Sequence, residues 1–544
     1  MVQRAGVFAV LLIIGFVFAG FAGYYLGFSG SSVGRVATTV VSGVVYSVSV
    51  FSTITYASTL TYSVEIPVVR RETVTSTVSW VSTATVTNTV TNVLEPWRYD
   101  RSPPVVRGFG WDASRVINDK IYDIGVWFSV FDDRSPIAYV ELRFIPERYY
   151  YFITGYGMRP EDYDRVFPPE NERTYILKPV DGGFDELEED FEVEIRDIVG
   201  GREYRIIVIA RDLAGNVGVF ETKTPYIRQY ENVAKLDNIL VIVHYYPWYS
   251  TSRHWNEGYK GNPLLGNYDS QDPIVISKHI DWATGHGIDA FLISWWGPYS
   301  FEDLTLRKIL ENPLADNIRI GILYESLGRL KVLRNEKDEI YIDMNDPDNV
   351  NILLSDLKYL AKNYFNSPNY LYIKESPVIE LYLARIYKGD IENVISILRK
   401  EMKLYLLADL VYWQNPSSEK DRIKVFDGIT SYNMHTNVPE ILKNFEYNLD
   451  KKYKEWSTVA EELNVDFLPS VIPGFDDSAV RSTNYPLPKS EKRFIEQLQI
   501  AKKYNPSVVV ITSFNEWHEY TQIEPDREEY KKYLEVLLNF IRSG

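Results

Sequence analysis

The chain has 544 residues, a formal net charge of -16, no cysteine, and an aromatic content of 14% that includes 41 Tyr and 12 Trp. Without cysteine, disulfides, thiolate catalysis and thiolate-bound metal are excluded; the acidic balance argues against nucleic acid or anionic lipid as a partner, since both need a basic footprint. The length allows roughly three domains, each with core enough to fold, and flat rings in this number suit a protein that holds the apolar faces of sugars.

In chain order, residues 5–28 carry no charge. At about 1.5 Å per residue, a helix of that length crosses a hydrocarbon core of roughly 30 Å. Gly20-Phe21-Ala22 offers a cleavage site for a signal segment, whereas Tyr24-Tyr25 favours a retained transmembrane helix with an interfacial aromatic pair. The expected location is therefore the cell membrane, single-pass, with the bulk of the chain outside, or secreted if the segment is cleaved. Residues 33–95 are rich in Ser, Thr and Val, too polar for a core of their own, and read as a stalk. Val74, Val78 and Val81, and then Val86, Val90 and Val93, recur at three- and four-residue steps within each set, which would suit self-association along a helical seam; the β-branched content suits extended chain. Both readings stay open.

From 100 to 230 the apolar pattern alternates with period two, at Ile124–Val130, Ala138–Phe144, Phe191–Ile195 and Tyr204–Ile209. That pattern predicts an antiparallel β-sandwich, and the turn Asp212-Leu213-Ala214-Gly215-Asn216 resembles one common in immunoglobulin-like and fibronectin-like modules. From 236 to 544, buried-strand runs alternate with amphipathic stretches: Ile239–Tyr246, Ile288–Trp295, Ile318–Tyr324, Val378–Leu383, Lys403–Ala408, Phe426–Ser431, Asp466–Val471 and Ser507–Ser513. Eight such units predict an α/β fold, a (β/α)8 TIM barrel, whose site forms at the C-terminal ends of the strands.

The chemistry-bearing residues follow that rule. Tyr246, Trp248, Tyr249, His254 and Trp255 come after the first strand, Trp295 and Trp296 after the second, Glu325 after the third and Tyr432 after the sixth. After the eighth come Asn515, Glu516, Trp517, His518 and Glu519, two carboxylates three positions apart among stacking and hydrogen-bonding groups. Four of the six histidines, His244, His254, His435 and His518, lie near this rim, but no His-x-His or His-Glu-x-x-His spacing occurs, so neither a metal nor another cofactor is expected.

The motifs Tyr245-Tyr246-x-Trp248-Tyr249, Leu265-Gly266-x-Tyr268-x-Ser270-x-Asp272-Pro273, Phe426-Asp427-Gly428-Ile429, Pro469-Ser470-Val471-x-Pro473-Gly474 and Ile511-Thr512-Ser513-Phe514-Asn515-Glu516-Trp517-His518-Glu519 resemble glycoside hydrolase family 99, the endo-α-mannosidase family, across about 239–525. The resemblance implies retaining endo-cleavage of α-mannosidic bonds in which Glu516 deprotonates the sugar's own 2-hydroxyl. That hydroxyl attacks the anomeric carbon to give a 1,2-anhydro sugar, while Glu519 protonates the leaving oxygen, a departure from the usual two-carboxylate scheme. It also implies that Glu325 and Tyr432 line the subsite beside the broken bond and that the partner is an α-linked oligosaccharide or polysaccharide. Tyr520 stands where the family commonly has glycine, and Tyr324-Glu325-Ser326-Leu327 replaces the usual Glu-Pro-Tyr. The competing expectation is a non-catalytic envelope protein that binds glycan on the same scaffold.

Overall fold

The computed structural model describes residues 58–66, 70–78, 96–115, 121–235, 239–411, 414–433, 443–482, 486–504 and 508–543. The expected transmembrane segment at 5–28 lies outside them; among the described residues no helix is long and apolar enough to cross a membrane. Within the range expected as a stalk, β1 (Ser58–Ile66) and β2 (Arg70–Val78) pair antiparallel, so this part is extended, as β-branched residues favour, while the rest of that range lies outside the described residues.

Two antiparallel sheets follow. β3 (Val105–Arg115), β4 (Ile121–Phe131) and β7 (Glu188–Val199) form one; β6 (Arg173–Leu177), β5 (Ile137–Pro146), β8 (Tyr204–Asp212) and β9 (Val217–Lys223) form the other. Alternate residues of both turn inward, Ile124, Val126, Phe128 and Val130 from one sheet and Val140, Leu142, Phe144, Ile206 and Val208 from the other, and share one core. In the turn after β8, Gly215 takes the positive φ of +89°, while Asn216 is held by the Asp212 carboxylate, which accepts from its backbone N and its Nδ2 at 2.8 Å each.

The second half of the chain alternates strand and helix. Strands β10 (Leu240–Tyr245), β11 (Ala290–Trp295), β12 (Arg319–Tyr324), β13 (Ser376–Leu381), β14 (Tyr405–Asp409), β15 (Gly428–Thr430), β16 (Asp466–Phe467), β17 (Ser470–Val471) and β18 (Val508–Ile511) are joined by parallel pairings. β16 and β17 are halves of one strand interrupted at Leu468-Pro469, where proline has no N–H for the ladder. The first half pairs with β15 and the second with β18, so eight strands close into a ring. The intervening helices start where the sequence supplies caps: Asp272 accepts from Ile274 N at 2.7 Å, Ser300 from Asp303 N at 3.1 Å and Asp346 from Asp348 N at 3.0 Å. Proline stands at the first helical position of Pro273–Thr284 and Pro347–Leu360.

The expected boundary between sandwich and barrel cuts through a core. Tyr149, Phe152, Met158, Tyr163, Val166, Phe167 and Tyr226, which fall in the sandwich range by sequence, are packed into the apolar core of the barrel. Polar groups tie the same seam: fully buried Asp281, on the helix Pro273–Thr284, accepts from Gln229 N at 2.7 Å, Tyr230 N at 3.0 Å and Tyr226 Oη at 3.2 Å. The short helical insert between β5 and β6, Tyr151–Thr154 and Pro160–Val166, carries too few residues in each piece to show helical period in sequence.

Candidate active site

β18 runs out at Ile511, and the residues after it fold back on themselves. Ser513 Oγ accepts from Glu516 N at 2.8 Å and meets Thr521 Oγ1 at 2.7 Å, while Ser513 N donates to Thr521 O at 3.0 Å. The loop is also fastened to the one after β10. Asn515 Oδ1 accepts from Tyr246 N at 2.7 Å, its Nδ2 donates to Tyr246 O at 2.8 Å, and Trp517 N donates to Tyr249 Oη at 3.0 Å. Beneath, buried Glu524 accepts from Trp517 Nε1 at 2.9 Å and Tyr268 Oη at 2.8 Å. A carboxylate pair on so braced a loop is pre-positioned, as catalysis by geometry requires. Tyr520 has a φ of +56°, in the left-handed region that favours glycine.

The two carboxylates stand in different surroundings. Glu519 is the acceptor on both oxygens, from Tyr432 Oη at 2.8 Å and from Arg481 Nη1 at 2.9 Å, and Arg481 also reaches Asp477 Oδ2 at 3.0 Å. That is the bonding of an ionised carboxylate. Among the described residues Glu516 accepts only a backbone N–H, that of His518 at 2.8 Å, and burial followed by the charge of Glu519 raises its pKa well above the ordinary carboxylate range. The pair is thus split by environment, with the sign opposite to the one the expected roles demand: burial disfavours the charged form of the expected base, and the expected acid is paired with a cation. The cation beside Glu519 is Arg481, on the loop after β17, which the sequence reading did not single out.

Around the pair, Glu325 receives Ser294 Oγ at 2.6 Å, and burial pushes its pKa up to about 8, so it is a neutral acid at pH 7. Ser294 in turn receives Trp296 Nε1 at 3.0 Å. Tyr246 is buried, and burial, with the neighbouring carboxyls of Glu325, Glu516 and Glu519, raises its hydroxyl pKa. Tyr382, after β13, packs edge-on to Tyr432 with ring centroids 5.2 Å apart and feels Glu519 and Glu325; this rim tyrosine was also missed. His244 lies beneath, with Nε2 2.9 Å from Glu380 Oε2 and its ring 5.2 Å from that of Tyr432.

The residues proposed from sequence fall into two groups. Tyr246, Glu325, Tyr432, Glu516 and Glu519 act electrostatically on one another, and half-buried Trp248 links Tyr246, His254, Trp296 and His518 by ring contacts with centroids 4.6, 4.8, 6.0 and 5.9 Å away. Tyr249, Trp255, Trp295 and Trp517 are enclosed, and their polar atoms are given to protein: Trp255 Nε1 to Tyr268 O, Trp295 Nε1 to Asp303, Trp517 Nε1 to Glu524. These four, with Asn515, back the site instead of facing it. His435 lies outside the described residues.

A closed parallel barrel with paired carboxylates and aromatic rings at the C-terminal ends of its strands is the arrangement of a carbohydrate-cleaving enzyme. The model of glycosyl hydrolase family 99 matches residues 250–537, and the chain belongs to that family. Among its relatives, the glycoprotein endo-alpha-1,2-mannosidase of Mus musculus is 27% identical over 292 residues, covering 50% of this chain and 59% of that protein. The Xenopus laevis protein of the same name is 27% identical over 296 residues, 51% of this chain and 61% of that one. This chain therefore spans about three fifths of the length of these relatives. A solved structure of the family 99 endo-alpha-mannosidase from Bacteroides thetaiotaomicron aligns at 20% identity with a TM-score of 0.44, covering 55% of this chain and 96% of that one.

Proposed function

We propose that the protein is an endo-acting, retaining hydrolase of α-mannosidic or closely related α-glycan linkages that works through the substrate's own 2-hydroxyl. The reading is supported above all by one observation: Glu516 and Glu519 share a site with different partners, Glu516 buried and accepting the His518 N–H, Glu519 held by Tyr432 and Arg481. One base and one acid are what the reaction needs. The glycosidic oxygen binds at Glu519 and the sugar's 2-hydroxyl at Glu516. Glu516 ionises and takes the 2-hydroxyl proton. The oxygen of that hydroxyl attacks the anomeric carbon, Glu519 protonates the departing oxygen, and water then opens the anhydro sugar with the roles reversed. Glu325, neutral at pH 7, donates a hydrogen bond to the bound sugar. Residues 5–28 anchor the protein at the membrane with this site outside, a reading supported by the uncharged run, and the immunoglobulin-like sandwich holds the barrel away from the surface.

The test is digestion of a panel of α-mannan and α-glucan oligosaccharides by the full chain, with new reducing ends followed by NMR. Release of oligosaccharides whose reducing ends appear first as the α anomer is expected. Monosaccharide release from chain ends, initial β anomer, or binding without cleavage would contradict the proposal, the last pointing to a glycan-binding protein.

A further inference from the structure

Beside the carboxylate pair lies a titratable cluster that the hydrolytic chemistry leaves idle. His254 and Glu257 stand on the loop after β10 and His518 on the loop after β18, and one potential ligand atom from each lies within 4.8 Å of the other two. His254 Nδ1 is 2.9 Å from Glu257 Oε2, and the two imidazole rings meet at 5.5 Å between centroids.

A second, independent observation concerns the tautomer of His518. Its Nδ1 lies 2.6 Å from the carbonyl oxygen of Gly258, which can only accept, so Nδ1 carries the hydrogen and donates it. The lone pair is thereby fixed on Nε2, in a residue only 7% exposed, and that nitrogen has no hydrogen-bond partner among the described residues. Buried polar atoms are normally satisfied. A ring N–H given to a backbone carbonyl is also how proteins orient a histidine whose other nitrogen binds a metal.

We propose that His254, Glu257 and His518 form a site for a divalent transition-metal ion of the zinc type, with two nitrogens and one oxygen from protein and a further position open. Zinc takes histidine nitrogen at about 2.0–2.1 Å and carboxylate oxygen at about 2.0–2.2 Å in tetrahedral geometry, which sets ligand atoms about 3.4 Å apart. The observed separations contract to that by side-chain rotation, chiefly of Glu257, whose side chain is 58% exposed. Calcium and magnesium do not fit, because they select oxygen ligands. The ion clips together two loops that already touch through Lys260 N donating to Trp517 O at 3.0 Å, and so braces the segment that carries Glu516 and Glu519.

The test uses the full chain freed of metal by chelation. Calorimetric titration with Zn²⁺ is expected to show a single ion per chain, and Co²⁺ to give the visible bands of a low-coordinate nitrogen and oxygen site. Glu257→Ala, at an exposed position and checked for fold by circular dichroism, and His254→Ala are each expected to weaken binding by about tenfold or more. Zn²⁺ should raise the melting temperature of the wild type but not of the variants. Equal affinity in wild type and both variants, or no ion bound at millimolar zinc, overturns the assignment.

Discussion

Arg481 is the residue on which the balance of the site turns. Its charge lowers the pKa of Glu516, against the larger effects of burial and of Glu519 that raise it. Removing the guanidinium should therefore raise the pKa of Glu516 further. Since the base must be ionised to act, the acid limb of kcat/KM against pH in Arg481→Ala should move to higher pH; no movement, or a shift to lower pH, would show that Glu516 is not the base. Glu325 makes a stability prediction. Its pKa of about 8 in the folded protein stands above the ordinary 4.5, so the folded state keeps a proton that the unfolded chain releases. The resulting penalty is absent below about pH 4.5, grows as pH rises toward 8 and is full above it. Glu325→Gln removes the ionisation, and its melting temperature relative to wild type should climb between pH 5 and pH 8; a difference that stays flat with pH would contradict the assigned burial.

At the scale of elements, most of the barrel was legible because parallel strands buried on both faces write continuous apolar runs such as Leu240–Val243 and Val508–Ile511. Strand ends shifted where side chains, not pattern, decide: Leu383 was read as strand but lies past β13 at a φ of +54°. Strands β3, β6 and β9 at sheet edges were missed because exposed edge positions such as Ile176, Val217 and Val219 blur the alternation. The loop carrying the carboxylates was readable from its density of polar and aromatic residues, whereas the contact between Arg481 and Glu519 was not, because 38 positions separate them and only the fold joins them. Nor could aromatics that back the site be told from aromatics that face it, since Trp295 and Trp296 are sequence neighbours on opposite sides of a strand end. One glycine is decisive where the insert meets the barrel. Gly266 has a φ of +73°, and a Cβ there would stand 2.3 Å from Tyr156 O. Gly266→Ala should lose about 1–3 kcal/mol or more, measured by denaturant unfolding; a loss under about 0.5 kcal/mol would mean that this seam yields easily.

For the molecule as a whole, the shared core across the expected domain boundary makes the barrel dependent on the residues before it. A fragment beginning at residue 236 would lose the seven apolar side chains from Tyr149 to Tyr226 and leave Asp281 without its three donors. Such a fragment should fail to give a cooperative melting transition, whereas one beginning at residue 96 should melt once, by calorimetry; a folded fragment from 236 would show that the seam is dispensable. The central claim, that Glu516 acts as base on the 2-hydroxyl and Glu519 as acid on the leaving oxygen, is tested most directly by comparing kcat/KM of Glu519→Gln for two donors of one sugar, a natural glycoside and an aryl or fluoride donor. General acid catalysis is typically worth about 10²- to 10⁴-fold, so Glu519→Gln should lose about that factor on the natural glycoside while the activated donor is largely spared. Glu516→Gln, measured alongside, should be impaired on both. Equal loss on both donors in Glu519→Gln, or cleavage of a donor without a free 2-hydroxyl by the wild type, would contradict the account.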